Sequence, residues 1–154
     1  MRGMTYGARW ARAMLVASFA LTQGCSDPYA DVRAGLSPSE RERFDRGARL
    51  AAPCAACHDL AGQAVKIGPH LSSLAGRRAG GLPGFAYSDA MRRSDFDWSA
   101  RTLDAFLADP QRVVPGNRML SPGVADTMAR ADLVFFLTRG GSSAAVSQGG
   151  AGGG

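Results

Sequence analysis

The run Cys54-Ala-Ala-Cys57-His58 places two thiols three positions apart and an imidazole on the very next residue. Cys-x-x-Cys-His is the attachment sequence of c-type haem. Its spacing has a mechanical reason. Two thiols so separated at a helix end can each add across one haem vinyl group, which delivers the adjacent histidine beneath the iron as an axial ligand. A group bonded in this way is not lost to the medium, which suits an exported protein. Three other chemistries compete for the same residues. A structural zinc site needs four sulfur or imidazole ligands, and beyond the motif the chain offers only His70 and Cys25. A thioredoxin-like redox pair needs a βαβ context, which is missing here, and a plain disulfide leaves His58 without a purpose.

The elements around the motif must hold it in place. Ser37-Pro-Ser-Glu40 is a capping box with proline at the first helical position, and Phe44, Ala48, Leu50 and Ala51 then mark an apolar face before Pro53. This predicts a helix over 38–51. Residues 60–96 hold six glycines, two prolines and no sustained period, so they read as long loops with a short turn around Leu71 to Ala75. Loops of that length need something to wrap. Ser99 caps a second helix that ends at Ala108, before Asp109-Pro110. A last helix, 125–139, carries Met128, Phe135 and Phe136 at helical spacing, with Gly140 as its C-cap. No segment alternates as a strand, so the expected class is all-α.

Composition narrows the possibilities further. The 154 residues are 45% hydrophobic and 20% charged, which fits a globular chain, and no stretch reaches the roughly 20 apolar residues that span a bilayer. The net charge of +5 and the pI near 9.7 invite a nucleic-acid reading. However, 17 of the 18 cationic residues are arginine, and Arg2, Arg9 and Arg12 stand at the extreme N-terminus. Past residue 24 the balance falls to +2, too little for a nucleic-acid footprint.

The two ends read as something other than fold. A basic stretch to Arg12 precedes the uncharged run Ala13 to Leu21, the layout of a secretory signal over residues 1–24. Cys25 then follows Leu21-Thr-Gln-Gly24, similar to a bacterial lipobox but with Leu21 one step too far from the cysteine. Two processing routes stay open: lipidation of Cys25 as the first mature residue, or cleavage after Ser18-Phe-Ala20, which leaves Cys25 as a stray thiol. Residues 25–36 read as a linker and 37–139 as the domain. From Gly140 to Gly154 there is no charge and little apolar surface, so 140–154 reads as a flexible tail.

From about Phe44 to Leu137 the chain resembles the class I c-type cytochromes, in particular the small branch that includes mitochondrial cytochrome c. The resemblance rests on Cys54-x-x-Cys57-His58, Gly68-Pro69-His70-Leu71, Leu74-Ala-Gly76-Arg77-Arg78-Ala-Gly80, Pro83-Gly84-Phe85-Ala-Tyr87-Ser88, Trp98, Thr102-Leu103, Asp109-Pro110, Pro115-Gly116-Asn117-Arg118-Met119 and Ala131-Asp132-Leu133. It implies three to four main helices and long loops wrapped around one covalently attached haem c. It also implies that Met119 is the second iron ligand opposite His58, and that the Pro69 carbonyl accepts the hydrogen bond of the second His58 ring nitrogen. Arg77, Tyr87 and Trp98 match positions that hold the haem propionates. Met128 is expected in the core. Gly47 and Leu50 are expected to cross Leu133 and Phe136. A haem would supply the apolar centre that about 100 residues with Gly-rich loops lack.

The chain departs from that pattern at several places. Phe106 stands where mitochondrial relatives carry a tyrosine, Met91 and His70 where they carry asparagines, and Asn117 where they carry a threonine just before the ligand. Phe106 and Met91 remove polar groups beside the haem; His70 is expected as an exposed ring near its edge. The implied function is one-electron carriage outside the cytoplasm between a donor and an acceptor redox protein that dock transiently at the haem edge. No nucleic acid takes part, and a membrane only through a lipid on Cys25. The alternative is a haem peroxidase, or the haem subunit of a dehydrogenase complex, in which Met119 dissociates. A haem-based sensor would need an output domain.

Overall fold

Ser37 opens the first long helix by the device its sequence specifies. Its N–H donates to Glu40 Oε2 at 2.9 Å, and its hydroxyl accepts from the Glu40 N–H at 3.4 Å. Pro38 fills the first helical position, where a missing N–H costs nothing. In the computed structural model, which describes residues 27–140, this helix is the second of six: α1 Ala30–Ala34, α2 Pro38–Ala51, α3 Asp89–Arg92, α4 Ala100–Ala108, α5 Pro110–Val113 and α6 Thr127–Gly140. A 3₁₀ turn, Ala52–Ala56, continues directly from α2. Among the described residues there is no strand, only a single antiparallel bridge between Arg78 and Asp97. The all-α expectation therefore holds, with α2, α4 and α6 as the long helices. The leader 1–24, Cys25 and the tail beyond Gly140 lie outside the described residues.

The core is built where α2 crosses α6. Phe44 and Phe136 are fully enclosed and meet edge to face, with ring centroids 5.0 Å apart. Gly47 lets the helices approach, because a Cβ there would come within 2.2 Å of the Asp132 carbonyl oxygen and 2.7 Å of Phe136 Cβ. Leu133 is buried beside it, so this part of the expected crossing is present. Leu50 and Met128 are not part of it. Phe44, Gly47 and Ala51 form the buried face of α2 at spacings of three and four, which turns Leu50 outward. Met128, three-quarters exposed rather than in the core, shares the rim of the same shallow surface groove as Leu50. Arg43 and Arg46 reach across to the Asp132 carboxylate at 3.2 and 2.7 Å.

The segment read as a linker is partly folded. The Tyr29 N–H donates to Asp27 Oδ1 at 3.0 Å, α1 follows, and Arg33 ties this strap to α2 through Asp45 at 2.8 Å. Tyr29 packs edge to face on both Phe44 and Phe136, at 5.6 and 5.2 Å, and Leu36 is also buried. Gly140 ends α6 as a helical residue rather than as a residue beyond it. It is buried, and a Cβ there would meet Tyr29 Cε1 at 3.2 Å.

Asp109-Pro110 has two roles. Proline disfavours helix for the residue before it, which stops α4, and its fixed φ then starts α5, with Asp109 Oδ1 accepting from the Arg112 N–H at 3.0 Å. The expected loop region 60–96 also contains α3, capped by Ser88, whose hydroxyl accepts from the Met91 N–H at 3.2 Å. Arg130, nearly buried, joins α6 to α4 through Asp104 at 2.8 Å and donates to the Val124 carbonyl at 2.7 Å.

Candidate functional site

Pro53 tightens the end of α2 into the 3₁₀ turn that carries the motif. The Cys57 and His58 N–H groups both return to the Cys54 carbonyl, at 3.1 and 2.9 Å. Both sulfurs and the imidazole thus issue from one turn. Cys54 and Cys57 are half-buried and unbonded to each other. Burial pushes the Cys54 thiol above its ordinary value, which keeps it protonated near neutrality. Among the described residues, no group of three or more His, Cys, Asp or Glu side chains is placed to hold a bare metal ion.

His58 Nδ1 lies 2.6 Å from the Pro69 carbonyl oxygen. A carbonyl can only accept, so Nδ1 carries the proton and the Nε2 lone pair is left for a metal. Gly68 makes this approach possible. Its N–H donates to the Cys57 carbonyl at 2.8 Å, and a Cβ on it would stand 2.4 Å from His58 Cε1. Lys66 Nζ adds donors to the Ala55 and His58 carbonyls. Asp59 shapes the following loop. Burial raises its carboxyl, but the N–H groups of Gly62, Ala64 and Ala61 outweigh that and hold it below the usual carboxylate range.

The second group centres on Arg77. Its Nη2 donates to the His70 carbonyl at 2.7 Å and its Nη1 to the Ser72 carbonyl at 3.4 Å, while its Nε is buried with no partner in the protein. Burial lowers the Arg77 pKa, so the guanidinium is short of a counter-charge; the Tyr87 phenol lies close enough to offset that in part. The Trp98 backbone N–H donates to the Arg77 carbonyl at 2.9 Å, and the indole lies between Phe96 and Phe106, at centroid distances of 5.0 and 5.1 Å. His70 is not the exposed ring expected from the sequence. Next to the His58-bonded Pro69, it turns inward and stands 2.8 Å from Ser72 Oγ, because that buried hydroxyl offers its ring nitrogen a partner.

Met119 comes from a separate loop after α5. Asn117 holds that loop: its side-chain amide donates to the Pro110 and Val114 carbonyls at 2.8 and 2.9 Å, and its Oδ1 accepts from the Met119 N–H at 2.9 Å. Gln111 closes the turn, donating to the Asn117 carbonyl at 2.9 Å and accepting from Gly116. Met119 and Tyr87 pack half-buried against the core cluster that contains Trp98, Met91 and Phe106. The bonds of Ser72, Lys66 and Gln111 to backbone groups five to eleven residues away have no counterpart in the sequence reading, because spacing carries no signal for them.

These residues fit a covalently held haem. The sulfurs and an oriented imidazole leave from one turn, a glycine clears the ring, and an orphaned guanidinium N–H faces inward where a haem carboxylate would satisfy it. Together they define a haem c domain.

Known proteins place it more closely. The chain is 38% identical over 87 residues to cytochrome c2 of Rhodoplanes tepidamans, covering 56% of this chain and 81% of that protein. It is 40% identical over 85 residues to cytochrome c of Arabidopsis thaliana, covering 54% and 76%. The solved structure of cytochrome cH from Methylobacterium extorquens superposes with a TM-score of 0.58 at 37% identity, over 61% of this chain and 95% of that one. No family model matches. The chain belongs to the class I c-type cytochromes, electron-transfer proteins that each bind one haem c covalently. Among the described residues no helix is long and apolar enough to cross a membrane.

Proposed function

We propose that this domain carries single electrons between redox proteins outside the cytoplasm, and that His58 and Met119 would hold the iron of its haem. Cys54 and Cys57 bear the thioether bonds, and Arg77, Tyr87 and Trp98 receive the propionates. The observation that carries this reading is the buried Arg77 Nε, the one guanidinium nitrogen among the described residues that is enclosed without a partner. Bound haem supplies a metal centre that changes by one electron; the chain's own residues supply the rest.

Pro69 fixes the His58 tautomer and ring plane, which makes the imidazole a better donor. Asn117 fixes the backbone of Met119. A His/Met pair would raise the potential of the bound iron. Phe106 and Met91, both buried, keep that side apolar. From Glu40 to Arg139 there are 14 cations and 11 anions, so electrostatic steering toward a partner is modest.

In this reading residues 1–24 export the chain, and a lipid on Cys25 would attach it to a membrane surface where that cysteine, rather than Leu21, becomes the first mature residue. The test of the site is the visible spectrum of the matured protein. Covalent pigment that resists acid-acetone extraction and a red Met-to-iron band in the oxidised form are expected; a Met119→Ala variant that kept the band would overturn the ligand assignment. Equal membrane partitioning of wild type and Cys25→Ser would remove the lipid.

A further inference from the structure

His70, half-buried, belongs to a polar chain that the carrier reading does not use. Ser72 is almost completely enclosed, and its hydroxyl lies 2.7 Å from the Gly62 carbonyl, which can only accept. The hydroxyl's single proton is spent there. His70 Nδ1, 2.8 Å from the same oxygen, must therefore be the donor, which leaves the neutral ring's lone pair on Nε2. The loop so locked, residues 70–72, is the one whose carbonyls hold the two outer nitrogens of Arg77 and so deliver Nε inward. Arg77 Nη1 also stands 3.5 Å from His70 Nδ1, so a charge on this ring would be felt directly by the guanidinium.

We propose that His70 is a positioning residue for Arg77 and the site of a redox-linked proton, so that the potential of the carrier falls as pH rises through the titration of this ring. The proposal rests on the reading of Arg77 as a haem carboxylate partner. Reduction adds one negative charge at the iron, and a nearby base then holds a proton more tightly; by reciprocity, the protonated ring favours the reduced state. The balance is one electron in from the donor protein and up to one proton in from solvent, forming an N–H bond at His70 Nε2. On oxidation both leave.

The charged groups facing the ring are Arg77 and, further off, Asp59, with Ser72 as its polar contact and Tyr87 beyond the guanidinium. Burial first, and then the Arg77 charge, hold His70 below its ordinary value of 6.5 in spite of the Ser72 backbone and Asp59. The pH-dependent window therefore lies on the acid side of neutrality.

The experiment compares the full matured holoprotein with His70→Asn and His70→Ala. Asparagine can still donate to Ser72 Oγ but does not titrate; alanine does neither. Midpoint potentials are measured from pH 4.5 to 8, and the His70 ring is titrated by NMR in the ferrous and ferric states. We expect several-fold tighter proton binding by the ferrous protein, where a tenfold difference corresponds to ~59 mV for a one-electron couple. His70→Asn should abolish this pH slope while keeping the alkaline-limit potential and the red band, and His70→Ala should shift that potential as well.

An unchanged slope in His70→Asn, or the same ring pKa in both redox states, overturns the proposal and leaves the haem site intact. Loss of pigment from the wild type on acid-acetone extraction overturns the haem reading and this proposal with it.

Discussion

The α-carbon of Gly47 lies against the Asp132 carbonyl, so that an added methyl would stand 2.2 Å from its oxygen. That oxygen is helix backbone and cannot swing aside as a side chain could. Gly47→Ala should therefore separate α2 from α6 and cost at least the ~1–3 kcal/mol typical of overpacking. Thermal unfolding of the holoprotein should shift down by roughly 5–15 °C. A variant that melts with the wild type would show that the two helices slide apart freely.

Gly68→Ala tests the haem side of the molecule. The new methyl would lie 2.4 Å from His58 Cε1, and the ring cannot retreat without breaking its 2.6 Å bond to Pro69. Far-ultraviolet circular dichroism should stay as in wild type while the oxidised visible spectrum gains high-spin character. An unaltered spectrum and potential would mean that the imidazole is not held there.

Asn117→Ala removes the donors to the Pro110 and Val114 carbonyls and the acceptor for the Met119 N–H. Leaving such buried groups unmet costs ~1–3 kcal/mol. The loop should open before the helices melt, so on heating the red band should vanish at a lower temperature than the helical signal. Coincident loss of the two would assign Asn117 to global stability alone.

Tyr29→Phe removes a buried hydroxyl that has no partner, and should be neutral or stabilising by up to about 1 kcal/mol. Its sharper signature is in alkali. Burial, and then Asp59, push the Tyr29 phenol from 10.0 up to about 12. Between those values the unfolded chain has released a proton that the folded one retains. The contribution is thus fully present below pH 10 and is lost as pH rises toward 12, at up to about 1.4 kcal/mol per pH unit. Denaturant titrations should show the phenylalanine variant gaining on the wild type across that range. Parallel curves would place the phenol in solvent.

Features with a local physical cause were legible in the sequence. The capping box at Ser37 and the cap at Ser99 compel helix starts whatever the rest of the chain does, and both helices begin there. The motif at 54–58 announced its chemistry, and the family resemblance put Gly47 at the helix crossing. What stayed hidden depends on partners remote in sequence. Tyr29 sits among Asp27, Asp31 and Arg33 in a stretch too short to show a period, and it becomes core only because Phe44 and Phe136 meet there. Leu50 and Met128 are apolar residues that miss the buried face of their helices. His70 looked like a surface ring because nothing local shows that Ser72 would be buried beneath it.

Because Tyr29 rests on Gly140, the two ends of the described segment meet at one spot. Neighbouring ends of this kind tolerate insertion into a host protein. The domain could be spliced whole into a surface loop of an unrelated enzyme through two short joints, giving that enzyme a built-in electron relay without pulling its own scaffold apart.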